Sequence, residues 1–467
     1  MRNSLLLLTC LLASFAVAQP GKPVPPLPSK EQLKWHEKEF YLFIHFGPNT
    51  FTDKEWGDGK EDPSVFNPTA LDCEQWARIA KQAGAKGIIL TAKHHDGFCL
   101  WPSKFSTHTV RESKWMDGKG DVVKALSQAC KKIGIEMGVY ISPWDRNHPL
   151  YGTPAYNDVY LSTMKELLTQ YGKYFELWWD GANGEGPNGK KQEYDFHRFE
   201  DSAFKWQPQL VIFSDIGPSI RWCGNENGTI NSTNWNLLDT AGFKRGHGAP
   251  PTDTLNRGNV NGKNWIPAEA DVSIRPGWFY HAKEDSKVKT PQALFNLYLR
   301  SVGNGGNLLL NVPPDRTGRI NAADSASLMG FRALRDAAFT TDVLQHAKLT
   351  ANTGDGKKLT NLTDHNIETY WTSRQSENTQ LLIDLPQKTN INTLVLEEMI
   401  AYGQRVSNFT IEVADGAGYR TVFTGTTIGR KKIASFKTEE TSKIRITIQH
   451  AKAAPALRGI SGYDVKG

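Results

Sequence analysis

Three stretches decide the fold: GAKGIILTAKHH (residues 84–95), GIEMGVYISPW (134–144) and YFELWWDGA (174–182). Each holds a near-continuous apolar run of strand length. Helical patterns lie around them, in CEQWARIAKQAG (73–84), GDVVKALSQACKKIG (120–134) and YNDVYLSTMKELLTQYG (156–172). Outward from this centre the alternation continues, with strand-like FYLFIHFG (40–47), QLVIFSDIG (209–217), NWIPAEADVSI (264–274) and GGNLLLNVPP (305–314), and helical PQALFNLYLRSVG (291–303). A helix over Glu31–Glu39 leads in and one around Ala322–Val343 closes the series. Strands that are apolar throughout, alternating with helices, indicate a parallel sheet covered on both faces. At this length an α/β fold of the (β/α)8-like barrel type is predicted over a doubly wound sheet. Nearly every strand ends in polar groups: His45, then His94-His95-Asp96, Trp144-Asp145, Asp180 and Asp215. Barrel enzymes build their sites at those ends, and so polar a set would be costly in a core without partners.

Beyond about His346 the pattern becomes short alternating strands, TQLLIDL, INTLVLEE, NFTIEVAD, RTVFTG, KIASFK and KIRITIQ, which predict an antiparallel β-sandwich. The N-terminus reads as a secretory signal peptide: Arg2, an apolar stretch over Leu5–Leu12, and the small-x-small triplet Ala16-Val17-Ala18. The expected organisation is a signal peptide at 1–18, a barrel at 19–345 and a sandwich at 346–467, in an exported protein, periplasmic or secreted, with no membrane span. Cys10 invites a lipoprotein reading, but Thr9 stands where a small residue is usual, which favours cleavage after Ala18. The formal charge of +6 arises from 55 basic and 49 acidic residues without a dense basic run, so no nucleic-acid footprint is present and a neutral substrate fits. Cys73, Cys99, Cys130 and Cys223 lack the paired spacing of a zinc or redox motif and read as buried thiols with at most one bridge. The 14 tryptophans and 14 tyrosines supply aromatic faces that pack on sugar rings as well as in cores.

Retaining glycoside hydrolysis needs two carboxyl groups about 5 to 5.5 Å apart, one a nucleophile and one an acid with a raised pKa. Asp180 ends the strand YFELWWDGA before Gly181 turns the chain. An isolated Asp there would read as a helix cap; the adjacent tryptophans and the barrel context favour the nucleophile. Four residues compete for the second role: Glu185, Glu226, Glu269 and Asp271. Glu226 lies in the Gly- and Asn-rich loop of SIRWCGNENG, whose bland reading is a turn. Glu269 and Asp271 alternate on one strand face, with a buried ion pair to Arg275 as their bland reading. Adjacent His94 and His95 would point to opposite faces of an extended strand, so a shared zinc requires the strand to break there. Hydrogen bonding to sugar hydroxyls suits neutral imidazoles, including that of His45, better. No nucleophile elbow, phosphate loop or H-E-x-x-H motif is present.

Taken together, FIHFG (43–47), Glu55-Trp56, TAKHHDGF (91–98), GVYISPWD (138–145), LWWDG (177–181), RWCGNENG (221–228) and AEADVSIRPGWFYH (268–281) resemble the α-L-fucosidases of glycoside hydrolase family 29, over most of residues 30–340. RWCGNE followed by EADVSIRPGW resembles the subfamily restricted to α-1,3/1,4-linked fucose on Lewis-type glycans. The resemblance implies Asp180 as nucleophile and Glu226 as acid/base, with Glu269 as rival because that position is poorly fixed in the family. It implies that His45, Trp56, His94 and His95 surround fucose and that Trp278 packs beside its C5 methyl, with Glu55, Tyr140, Trp144, Arg221 and Asp271 as further site members. No catalytic cofactor or active-site metal is implied. LTDHNIETYWTS (362–373) resembles the discoidin-type, galactose-binding-like fold, in which the loop near Asp364 often holds a structural Ca²⁺. The resemblance therefore implies an exported, retaining hydrolase of fucosylated oligosaccharides or glycoconjugates; a broad-specificity fucosidase, a transfucosidase and a non-catalytic fucose lectin are the alternatives.

Overall fold

The structure, a computed structural model, describes residues 22–466, so the expected signal peptide lies outside the described residues. Eight parallel strands close into a barrel: β1 Phe40–Ile44, β2 Gly87–Lys93, β3 Glu136–Ile141, β4 Glu176–Trp178, β5 Val211–Ser214, β6 Ile220–Trp222, β7 Ala268–Ser273 and β8 Asn307–Asn311. Closure comes from β1 pairing with β8, Phe40 opposite Leu308 through Phe43 opposite Asn311.

Side-chain alternation sorts these strands into two cores. Leu42, Ile44, Ile88, Leu90, Val139, Leu177, Trp179, Ile212, Leu308 and Leu310 face outward into the layer beneath the helices. Tyr41, Phe43, Ile89, Tyr140, Trp178, Val211, Phe213, Ile220 and Leu309 fill the barrel interior. The helices covering the outer layer are α1 Lys30–His36, α2 Cys73–Gln82, α3 Val122–Ile133, α4 Tyr156–Gln170, α5 Phe196–Trp206, α6 Pro291–Ser301 and α7 Ala322–Ala338. Their starts carry side-chain caps where the sequence offers them: Asp72 for α2, Asp121 for α3 and Thr290, followed by Pro291, for α6. The lead-in helix begins one residue early, at the Ser29–Gln32 capping box, and stops at His36 rather than Glu39. The closing helix ends at Ala338, short of Val343.

Two units depart from a regular repeat. Asp215–Ser219 turns directly from β5 into β6 without a helix, and residues 223–267 after β6 form an excursion with a short ribbon, Leu237–Leu238 against Asn264–Trp265. The described cysteines are all free and buried, so the one bridge their number allowed does not form.

The C-terminal unit is an antiparallel sheet of β9 Lys348–Ala351, β10 Trp371–Thr372, β11 Glu377–Glu398, β12 Val406–Asp415, β13 Gly418–Gly425, β14 Lys432–Ala451 and β15 Ala456–Tyr463. TQLLIDL and INTLVLEE, expected as separate strands, are the two halves of β11, and KIASFK and KIRITIQ those of β14. Pairing between β11 and β14 breaks between Asp384 and Thr389, where Pro386 offers no N–H to a ladder. The strands continue past that break, packing Leu381, Ile383, Leu394, Ile444 and Ile446 into one core.

This unit is tied to the barrel next to β1 by six charges. Arg430 bonds Glu37 (2.6 Å) and Glu397 (2.7 Å), Lys431 bonds Glu39 (2.5 Å), and Arg458 bonds Glu37 (2.6 Å) and Glu397 (3.2 Å). Burial opposes ionisation of Glu39, but Lys431 and Arg430 outweigh it and hold its carboxyl down at about 2.

Candidate active site

At the C-terminal ends of the barrel strands lies a cavity of about 280 Å³. All of its lining residues come from positions 43–278. Its floor is aromatic: Trp178 stacks on Phe213 (centroids 4.0 Å apart, 9° between planes) and beside Tyr140 (5.3 Å), with Phe43 next to them. These residues share the inward parity of β1, β3, β4 and β5. Two places further along β1, β4 and β5 the same parity sets His45, Asp180 and Asp215 at the mouth.

Four carboxyl groups face this space in addition to Glu55: Asp180, Asp215, Glu226 and Asp271. Asp180 accepts from the Tyr140 hydroxyl (3.1 Å) and from the backbone N–H of Ala182 (2.8 Å), and the Nε2 of His95 is 3.7 Å away. Burial raises the Glu226 carboxyl above its ordinary range; the Trp278 indole opposes this and the charge of Asp180 adds to it. Asp271 accepts from the Trp222 indole (2.9 Å) and is held well above the carboxylate range by burial, then by Glu226. Burial, and after it Asp180, pushes Asp215 up to about 6. One carboxylate seated among hydroxyl and amide donors beside others biased toward protonation is the asymmetry that acid-assisted displacement requires.

The imidazoles are neutral. Burial depresses His45 to about 3, His94 well below its ordinary value, and His95 as well, the last partly offset by Asp180. Asn311 donates to the Trp278 carbonyl (2.7 Å) and Ser273 Oγ (2.9 Å), so its Oδ1 must accept from His45 Nδ1 (2.9 Å). Ser142 donates to the Trp144 carbonyl (3.0 Å) and accepts from His95 Nδ1 (2.8 Å). Both bonds leave Nε2 as a lone-pair acceptor. The buried Nδ1 of His94 has no hydrogen-bond partner among the described residues. His94 and His95 both line the cavity because β2 ends at Lys93, after a register shift, so the opposite-faces expectation for an extended strand does not apply to them.

Trp56, 55 % exposed, forms one wall and meets Trp144 edge-on; Trp278 forms another against His45. Glu55 lines the cavity and accepts from the backbone N–H groups of Trp278 (2.7 Å) and Phe279 (3.3 Å). The expected residues His45, Glu55, Trp56, His94, His95, Tyr140, Asp180, Glu226, Asp271 and Trp278 thus converge on one cavity.

Three do not reach it. Trp144 stands behind Trp56 and His95, its indole donating to the Glu185 carbonyl (3.0 Å). Arg221 has the outward parity of β6: fully buried, it donates to the carbonyls of Leu255 (2.8 Å), Ile266 and Trp235 (3.1 Å), and so fastens the residues after β6. Glu269 lies below the floor, accepting from the Trp178 indole (2.8 Å) and the Tyr41 hydroxyl. The ion pair considered for Glu269 and Asp271 is not formed, because Arg275 bonds Asp324 (2.8 Å) and Asp285 (2.8 Å) instead. Asp215, one of the polar strand ends, also lines the cavity, as do Trp178, Phe213, Trp222 and Phe43, for which strand parity is the signal in the sequence.

Among the described residues no group of three or more His, Cys, Asp or Glu is arranged to hold a metal. In the C-terminal unit the Asp364 carboxylate accepts from the Thr369 hydroxyl (2.8 Å) and the N–H of Asn366 (2.8 Å) within its own loop.

A parallel barrel whose mouth combines unequal carboxyls, neutral imidazoles and tryptophan walls defines a glycoside hydrolase. The α-L-fucosidase family model matches residues 60–332, and a NedA-like, galactose-binding domain model matches 361–446. Alpha-L-fucosidase 1 of Arabidopsis thaliana is 41% identical over 451 residues, covering 94% of this chain and 88% of that protein. The crystal structure of SpGH29 superposes with a TM-score of 0.91 at 37% identity, covering 95% of this chain and 100% of its own. A Ruminococcus gnavus GH29 fucosidase solved in complex with fucose superposes with a TM-score of 0.86 at 30% identity, covering 96% and 97%. The chain belongs to the α-L-fucosidase family of glycoside hydrolases.

Proposed function

We propose that the protein is an exported, retaining α-L-fucosidase that removes α-1,3/1,4-linked L-fucose from Lewis-type glycans. The observation that carries the reading is the single cavity in which Asp180 and Glu226 meet His45, His94, His95 and the two tryptophan walls. Asp180 attacks the anomeric carbon while protonated Glu226 donates to the departing glycosidic oxygen. Glu226 then takes a proton from water, which opens the fucosyl-enzyme with net retention. Tyr140 and Ala182 N–H hold the Asp180 carboxylate in line. The Nε2 lone pairs of His45 and His95 accept from ring hydroxyls, and Trp278 offers an apolar face to the 6-deoxy methyl, a preference worth about 1 to 3 kcal/mol. The signal-like leader supports export, the motif pair RWCGNE and EADVSIRPGW supports the restricted linkage, and the division near residue 345 assigns catalysis to the barrel.

The test compares release of L-fucose from a Lewis-type trisaccharide and an α-1,2-linked fucoside. Selective cleavage of the first, abolished in Asp180→Asn, with azide restoring Glu226→Ala on an activated fucoside, is the expected result. Equal cleavage of both overturns the linkage; near-normal kcat in Asp180→Asn overturns the nucleophile.

A further inference from the structure

His281 does not line the cavity, yet it sits where both tryptophan walls are anchored. Its Nε2 is 2.6 Å from Glu55 Oε1 and its Nδ1 is 2.8 Å from Asp53 Oδ1. A neutral imidazole has one donor and one acceptor. Both ring nitrogens here face carboxylate oxygens, which accept only, so the geometry requires a proton on each.

Asp53 and Glu55 lie on the segment that ends in Trp56. Glu55 also accepts from the backbone N–H groups of Trp278 and Phe279, on the segment that carries the opposite wall. The ring is 5% exposed, whereas the carboxylates are 48% and 39% exposed. The other charges around the group are Glu284, which adds to the negative field at His281, and Arg316 (3.7 Å) and Lys283 beside Asp53. Burial disfavours charge on the imidazole, but the bonds to Asp53 and Glu55 outweigh it and leave the pKa raised.

We infer that His281 is a positioning residue: as an imidazolium bonded to Asp53 and Glu55 it clasps the Trp56 and Trp278 walls around the fucose site, and the clasp loosens when its proton leaves. This rests on fucose binding in the cavity described above. A group whose folded pKa is raised contributes fully below its ordinary value and loses its contribution as pH rises through the folded one. Sugar binding therefore weakens toward alkaline pH.

The test measures the competitive inhibition constant of L-fucose from pH 5 to 9 in the full-length enzyme. Wild type should show a constant that rises with pH. His281→Gln, which keeps one amide donor and no charge, should bind about tenfold more weakly at pH 5 and lose the alkaline rise, leaving only the dependence that the cavity carboxyls Asp215 and Glu226 contribute. Asp53→Asn, which removes one carboxylate at an exposed position, should move the wild-type transition about one pH unit lower. Binding by His281→Gln within twofold of wild type at pH 5, or an unmoved transition in Asp53→Asn, overturns the clasp. Retained turnover in Asp180→Asn would instead remove the cavity assignment itself, so the two failures are distinguishable.

Discussion

A single methyl group added at Gly181 tests how tightly the nucleophile's surroundings are built. Gly181 follows Asp180 with its backbone outside the left-handed region, so alanine is conformationally permitted. An added Cβ would fall 2.5 Å from Oδ1 and 2.6 Å from Cγ of Asp215, where ordinary contact begins at 3.4 Å. Either the Asp215 carboxyl retreats by about 1 Å or the 180–182 turn does, at a cost of about 1 to 3 kcal/mol for overpacking. A misplacement of about 1 Å at a reacting group costs on the order of 10²-fold in rate. Gly181→Ala should therefore lower kcat/KM for 4-nitrophenyl α-L-fucoside about 100-fold, while Tm falls by only about 1 to 3 °C in a chain of this length. The double variant Gly181→Ala/Asp215→Ala removes the obstacle and should recover at least about tenfold relative to additivity, a coupling of ~1.4 kcal/mol. Wild-type activity in Gly181→Ala, or strict additivity in the cycle, would refute the reasoning.

Ser142→Ala deletes the acceptor that fixes His95 Nδ1; kcat/KM should fall about tenfold, the worth of one net hydrogen bond plus an unpaired His95 Nδ1 donor, since the Trp144 carbonyl keeps Lys93 Nζ (3.3 Å), and steady-state kinetics at constant pH checks it. On the alkaline side, activity should be lost as pH rises through the raised pKa of Glu226, since the acid must be protonated. In Glu226→Gln that limb should vanish from the profile measured on fucosyl fluoride. Arg430→Met leaves Glu37 and Glu397 short of a cation and should cost about 3 to 5 kcal/mol in urea unfolding. Its kcat should stay normal, because the cavity is lined only by residues 43–278. Glu39, together with Glu37 and Glu397, makes the same interface acid-sensitive: the Glu39 contribution is present above the ordinary carboxylate value of about 4.5 and is lost as pH falls toward about 2, and an acid titration of unfolding reads it.

The barrel was legible because its strands are apolar on both faces, a pattern that survives without any tertiary information. Site residues at strand ends were legible for the same reason, and parity carried further than it was taken. Trp222 pointing inward already sends Arg221 outward, and Asp180 pointing inward brings Trp178 and Glu176 with it. The depth of Glu269 was not legible. It shares parity with Asp271, and only the indole N–H of Trp178 bonding it from the floor shows that one layer faces the cavity and the other lies beneath. His281 was hidden because its partners, Asp53 and Glu55, are 228 and 226 residues away. The halves of β11 looked like two strands because Pro386 normally ends one; here it coincides with a break in pairing that the strand survives.

The hydrogen bond between His45 and Asn311 joins the first barrel strand to the last across 266 residues. A chain that has laid down seven strands has His45 in place but not the group that orients its imidazole. The acceptor lone pair at the mouth is thus a product of ring closure, and turnover becomes a readout of whether the seam between β1 and β8 has been sewn. Damage that opens that seam, however remote from the sugar, should be felt first as a misdirected imidazole rather than as unfolding.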